Sequence, residues 1–387
     1  MMDIYFDNSA TTRLDDKVFD AMKDFNDKYY ANPSAAHRFG FLVENEIKKH
    51  TSYIAKCIGV DENEIVWTSG GSESNNMAIL SYVYAHKKTG NHLITSKIEH
   101  ASVTNVFKRL EEEGFDVSYL SVDSTGHIDM KELENLITDK TLMVSVMAVN
   151  NEIGSVEDII EIGKIIKNKN RNTVFHTDFV QAFGKIKVDC KRQNIDFLSI
   201  SSHKFNGPKG VGILYKNKNV RINTFILGGG QQMNLRSGTL NTLGIVGTSV
   251  AAKMIYDDFD TYVSKLKELK SYFIDRLLTL NKKYNLIHIN TKDDDTFAPH
   301  IVSVSTYGIR AEVLLHALEE YNIYVSAGSA CSSHDKKYSN TLSAINLDKN
   351  LLDSTVRISF GRYNTKEEID VFMDTFDKLI PILNIRK

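Results

Sequence analysis

Six short apolar runs separated by stretches of helical spacing constrain this chain more than any other feature. They are Glu64–Thr68, His92–Ser96, Leu142–Val149, Thr173–Asp178, Asp196–Ser201 and Val211–Tyr215. Segments such as Ser102–Glu113 and Val156–Lys169, which lie between them, carry helical periodicity. Strands that are apolar almost throughout must be buried on both faces, so the alternation implies a largely parallel sheet with helices over each side. In open sheets of this kind ligands collect at the carboxyl ends of the strands. Five of the runs lead into polar groups there: Ser69 to Asn76, His100, Asn150 to Glu152, Asp178 with Gln181, and Ser202 to Lys204. Packing alone does not call for such a convergence, and this edge is the expected site.

The length of 387 residues suggests more than one folding unit. A stretch from Thr248 to Leu280 reads as a connecting helix, and the strand-like runs His300–Ser305, Ile323–Ser326 and Val356–Phe360 follow it. We therefore expect a large α/β domain over residues 16–250 and a smaller α+β domain over 251–387, joined by residues 1–15. Lys plus Arg (47) nearly balances Asp plus Glu (49), which argues against a stable nucleic-acid binder. No basic, apolar leader and no membrane-length apolar window is visible, and the expected location is the cytoplasm. Three cysteines, Cys57, Cys190 and Cys331, make neither a disulfide framework nor a metal-ligand pair, so no metal is expected.

The chemistry of individual residues sharpens the site. Gly70, Gly71 and Ser72 precede the helical pattern Ser72–Tyr84. Free N–H groups at a helix start suit a phosphate, although a glycine turn with a serine cap reads equally well. Lys204, between an apolar strand and a Gly/Pro loop, sits where burial lowers an amine's pKa and readies it for an aldehyde cofactor. Asp178 is placed to keep a pyridinium nitrogen protonated. His203, Arg236 and Thr239 are further candidate phosphate donors, and Arg357 calls for an anionic partner from protein or ligand. Cys331, in the small-residue run Ser329 to Ser333, has surroundings that suit a thiol which must be exposed. Cys57 and Cys190 read as structural.

With these segments in order, the chain resembles the cysteine desulfurases of the NifS/IscS type, within the class V aminotransferases of fold-type I. The likeness runs nearly end to end: Y-F-D-N-S-A-T-T at 5–12, T-S-G-G-S-E-S-N-N at 68–76, E-H-A-S-V at 99–103, N-N-E-I-G at 150–154, H-T-D-F-V-Q-A-F-G-K at 176–185, S-H-K-x-x-G-P-K-G at 202–210, R-S-G-T at 236–239, S-A-C-S-S at 329–333 and V-R-I-S-F-G at 356–361.

The resemblance implies a homodimer using pyridoxal 5'-phosphate (PLP) and L-cysteine. Lys204 would carry the cofactor and shuttle the substrate's Cα proton, with His100 stacked on the ring. Asp178 would meet the ring nitrogen and Gln181 the phenolic oxygen. Gly71, Ser72, Ser201 and His203 would hold the phosphate, with Thr239 reaching in from a second subunit. Asn151, also near the cofactor, and Arg357 would bind the substrate carboxylate. Cys331 would take the sulfur as a persulfide and pass it to an acceptor, an iron–sulfur scaffold or a tRNA-thiolation enzyme. Other readings are a PLP-dependent lyase or aminotransferase without persulfide transfer, or a low-activity relay partner. Phe179 departs from the family's small alanine, at a position expected to lie against the cofactor ring.

Overall fold

The computed structural model describes residues 3–327 and 338–384. After a short strand β1 (Ile4–Tyr5), seven strands follow: β2 (Ile65–Thr68), β3 (His92–Ser96), β4 (Asp116–Leu120), β5 (Thr141–Ser145), β6 (Val174–Asp178), β7 (Phe197–Ser201) and β8 (Gly212–Lys216). These seven form one sheet in the order β2-β8-β7-β6-β5-β3-β4. Every pairing is parallel except those of β8, which runs antiparallel to β2 and β7. The expected large, mainly parallel α/β sheet is therefore present. β2, β3, β5, β6 and β7 are buried along their whole length, as their unbroken apolar runs require. Only Leu120 of the edge strand β4 is fully buried, which is why the strand carries no comparable apolar run.

Alternate side chains of these strands supply two different cores, because successive strand residues point to opposite faces. Ile65, Ile94, Val144, Phe175, Leu198 and Ile213 enter one cluster, and their neighbours Val66, Leu93, Met143, Val174, Phe197 and Leu214 enter the other. The helix Gly71–His86 packs on the second face and is apolar on nearly all sides from Met77 to Val83. A helix covered by both a sheet and other helices needs no polar stripe.

The remaining strands are β9 (Ile287–Ile289), β10 (Ile301–Thr306), β11 (Ile323–Tyr324), β12 (Ser326–Ala327) and β13 (Thr355–Ser359). An antiparallel sheet β12-β13-β10-β9 encloses a separate core in which Phe6, Phe273, Phe360 and Phe372 meet, mostly edge to face. The first residues join this part, with Ile4 opposite Ile323 in a parallel pair.

Two expectations are corrected. The stretch Thr248–Leu280 is not one helix but parts of two, Thr242–Tyr256 and Phe259–Tyr284, broken at Asp257 and Asp258. Ile245, Ala252 and Ile255 of the first helix belong to the large-sheet core. Leu266, Leu269, Phe273 and Leu277 of the second form a stripe on the small one. Two cores in different directions require the chain to turn between them. The strand expected over Leu142–Val149 stops at Ser145. Residues Val146 to Val149 stay buried while the ladder thins to single bonds, such as Ala148 N–H to the Asp178 carbonyl at 3.0 Å.

Candidate active site

The carboxyl ends of β2, β3, β5, β6 and β7 open on one cavity of about 370 Å³. Ten of the expected residues line it: Gly71, Ser72, His100, Asn151, Asp178, Gln181, Ser201, His203, Lys204 and Arg357. Thr239 does not; it is exposed on the loop that follows Arg236. Cys331 lies outside the described residues.

Lys204 ends the short 3-10 turn Ser202–Lys204 that continues β7. Its Nζ donates to the backbone carbonyls of Ser9 (2.5 Å) and Ala10 (2.7 Å). Burial, followed by the positive charge of Arg357, lowers its pKa to about 8, against the pull of Asp7 and Asp178. The share of this amine that is unprotonated near neutral pH, the form that condenses with an aldehyde, is therefore far larger than for an ordinary lysine.

Asp178, the last residue of β6, is buried and held from two sides. Asn75 Nδ2 donates to Oδ2 at 2.8 Å, and the Val180 N–H donates to Oδ1 at 3.0 Å. Gln181 is oriented by its Nε2 donating to the Ser9 carbonyl (2.9 Å) and by the ring of His300, 3.4 Å from its Oε1. The chain turns immediately after Asp178, and this overturns the expectation for Phe179. Its ring is fully buried in the large-sheet core, and Val180 lines the cavity instead. The aromatic side chain is thus a core residue and takes no space from a bound ring.

The opposite end of the cavity is suited to a phosphate. The helix Gly71–His86 begins there, and no acceptor among the described residues meets the N–H of Gly71 or Ser72. A Cβ on Gly71 would come within 2.7 Å of Val180 Cγ2, so glycine is what lets the two segments meet. Ser201 lies beside Gly71 at this end, and His203 lines the same cavity. Burial, aided by nearby lysines, lowers the His203 pKa to about 4, so its neutral ring is an N–H donor rather than a cation.

Arg357, on β13, reaches the cavity from the small sheet. Its Nη1 donates to the Asn151 carbonyl and its Nη2 to Asp7 Oδ1, each at 2.7 Å. The anionic partner called for by the sequence is therefore a protein carboxylate, and Asp7 was not foreseen. His100 caps the helix Ala101–Glu112, its Nδ1 accepting the Ser102 N–H at 3.2 Å.

Sequence reasoning missed other members. Ser9 and Ala10 act through backbone carbonyls, which leave no side-chain signature. Asn75 stands one helical turn after Gly71, and that spacing could have revealed it. His300 and Lys185 are buried below the site and read like ordinary polar residues in the sequence. Among the described residues no cluster could hold a metal ion.

The class-V aminotransferase family matches residues 4–372. The cysteine desulfurase IscS of Clostridium botulinum is 40% identical over 378 residues, covering 97% of this chain and 94% of that protein. The cysteine desulfurase IscS of Rickettsia prowazekii is 40% identical over 373 residues, covering 95% and 88%. A solved NifS-like protein superposes with a TM-score of 0.92 at 37% identity, covering 99% of this chain and 100% of that one. The chain belongs to the class-V aminotransferases of fold-type I. Membership implies PLP as cofactor, and the free N–H groups, Asp178 and the low-pKa Lys204 fit that group.

Proposed function

We propose that this chain is a PLP-dependent cysteine desulfurase, converting L-cysteine to L-alanine and leaving the sulfur as a persulfide on Cys331. The observation that carries this reading is the placement of the Lys204 amine and the Asp178 carboxylate at the ends of adjacent strands, β7 and β6, in one cavity that Arg357 also enters. PLP, when bound, supplies an electron sink that weakens the bonds at the substrate's Cα.

The chain's own residues do the rest. Lys204 Nζ holds the cofactor and moves the Cα proton. Asp178 keeps the ring nitrogen protonated, and Gln181 donates to the phenolic oxygen. His100 and Val180, which both line the cavity, would flank the ring. Gly71, Ser72, Ser201 and His203 bind the phosphate. Asn151 and Arg357 orient the substrate carboxylate. The Cys331 thiolate attacks the substrate sulfur, the carbon–sulfur bond breaks with its electron pair left on carbon, and protonation there completes alanine. One thiol and one cysteine thus become one persulfide and one alanine.

The working unit is a homodimer in this reading, with Thr239 of each copy completing the phosphate site of the other. Its support is the exposure of Thr239 and of the apolar Leu227 (84%) and Met233 (53%) on the same segment. The division into a large domain over 16–250 and a small one over 1–15 and 251–387 is supported by the two main cores, with Ala252 and Ile255, just past the boundary, still packed in the large one. The persulfide passes to an acceptor protein of iron–sulfur assembly or tRNA thiolation, in the cytoplasm. No helix among the described residues is long and apolar enough to cross a membrane.

The test is mass spectrometry of the intact protein after incubation with PLP and L-cysteine. One added sulfur on Cys331 with release of alanine is expected. Alanine release at the parent rate by the Cys331→Ala variant would overturn the persulfide step in favour of a lyase.

A further inference from the structure

Lys185 is a buried lysine with no counter-ion among the described residues. It is 5% exposed, and among those residues its Nζ makes a single hydrogen bond, 2.8 Å to the backbone carbonyl of Lys204. The charged or titratable groups that face it are Lys204, His203 and the buried His300, and among the described residues no carboxylate pairs with it. Burial lowers its pKa to about 7, with Lys204 adding to the effect.

A buried ammonium without a partner is costly, and an apolar side chain of the same length would satisfy the surrounding core better. A costly group that persists beside a reactive one is expected where function, rather than stability, is served. The location gives that function a form. The backbone of residues 203–206 is otherwise tied to Ser202, through the Phe205 N–H, and to the N-terminal segment, through Thr12 and Asp15, but neither set of bonds reaches the Lys204 carbonyl. The Lys204 side chain is tied to the same segment, through the Ser9 and Ala10 carbonyls. Those two carbonyl contacts must loosen when the amine turns to an aldehyde, because a condensed nitrogen no longer carries the protons it donates to them. The bond from Lys185 does not depend on the amine and stays in place throughout.

We propose that Lys185 is a positioning residue for Lys204, fixing the root of that side chain while its amine exchanges partners. The proposal rests on the reading of this cavity as a PLP site. Without the bond, the Lys204 backbone is free to tilt, and the amine meets the aldehyde less often in a productive direction.

The test compares the parent with Lys185→Met, which keeps the length and removes the donor. The cofactor-free proteins are mixed with PLP, and capture is followed by visible absorbance and by the visible circular dichroism of the bound cofactor. Capture by the variant is expected to be about tenfold slower, with weaker dichroism per bound cofactor, as the loss of one charge-assisted bond implies. The melting temperature of the cofactor-free variant is expected to equal or exceed the parent's. Equal capture rates and equal dichroism would overturn the role of Lys185 alone. A variant that melts lower and captures normally once folded would also overturn it, making Lys185 a structural residue. A parent enzyme that forms no visible band would overturn the cofactor reading itself.

Discussion

Asp7 and Arg357 form an ion pair of 2.7 Å between the N-terminal segment and β13, beside the cavity that Arg357 lines. Both side chains are largely buried, 20% and 11% exposed, so the pair is little screened by solvent. In the proposed function the same guanidinium binds the substrate carboxylate, and Asp7 would then compete for it. Asp7→Asn is expected to lower the KM for L-cysteine by roughly threefold, because a neutral amide leaves more of the positive charge to the substrate. Arg357→Ala, which removes the charge, is expected to raise it by about 30-fold. Steady-state kinetics distinguish these, and a raised KM in Asp7→Asn would mean that Asp7 serves to orient Arg357.

The pKa of about 8 at Lys204 has a direct kinetic consequence. Only the unprotonated amine condenses with an aldehyde, and burial has lowered the pKa from its ordinary value, so the reactive form is lost as pH falls. Capture of PLP by the cofactor-free protein should rise about tenfold per unit below pH 8 and level off above it. Stopped-flow absorbance between pH 6 and 9.5 measures this. A rate that keeps climbing toward pH 10 would show an amine that is not desolvated.

The close approach of Gly71 to Val180 predicts a specific pair of effects. Gly71→Ala places a methyl group 2.7 Å from Val180 Cγ2, so the helix start and the segment after β6 must separate. Retention of PLP is expected to fall about tenfold, measured by equilibrium dialysis. Gly71→Ala with Val180→Ala should recover part of that loss, since the second change removes the clashing methyl. No recovery would place the damage in the helix N-terminus rather than in the contact.

Glu152 and Ser339 connect the turn after β5 to the helix Asn340–Ala344. Ser339 Oγ donates to Glu152 Oε2 at 2.5 Å and caps that helix by accepting the Leu342 N–H. Burial raises the Glu152 pKa, and a neutral carboxyl still accepts this bond through its carbonyl oxygen. Glu152→Gln should therefore keep near-parent turnover, whereas Glu152→Ala should lower it about tenfold while leaving the visible spectrum of bound cofactor unchanged. A spectral change in Glu152→Ala would place its effect at the cofactor instead.

Much of this site was legible because its chemistry is written in strand ends. Asp178, Lys204 and His100 each follow an apolar run, and the parallel sheet brings such positions to one edge. The motifs then supplied roles that spacing could not. Phe179 shows where that reading fails. A one-residue difference in where a chain turns decides between core and cavity, and no local pattern records the turn. Asp7 and His300 were missed for a related reason, since each becomes part of the site only through the packing of the small sheet against the large one. The single helix expected from Thr248 to Leu280 failed because both of its halves are helical. Only the direction of their apolar faces separates them.

The pairing of Ile4 with Ile323 also bears on how the protein is made. The segment that supplies the Ser9 and Ala10 carbonyls to Lys204 is synthesised before the large sheet, yet the strands that anchor it, β11 and β13, are synthesised only after that sheet. The large sheet can assemble while synthesis continues, but its reactive lysine gains its full set of contacts only once the C-terminal part has folded back. A chain truncated before β11 would hold that segment only by its bonds to the large domain, such as Gln181 to the Ser9 carbonyl and Thr12 to the His203 carbonyl, and its lysine would be placed less firmly.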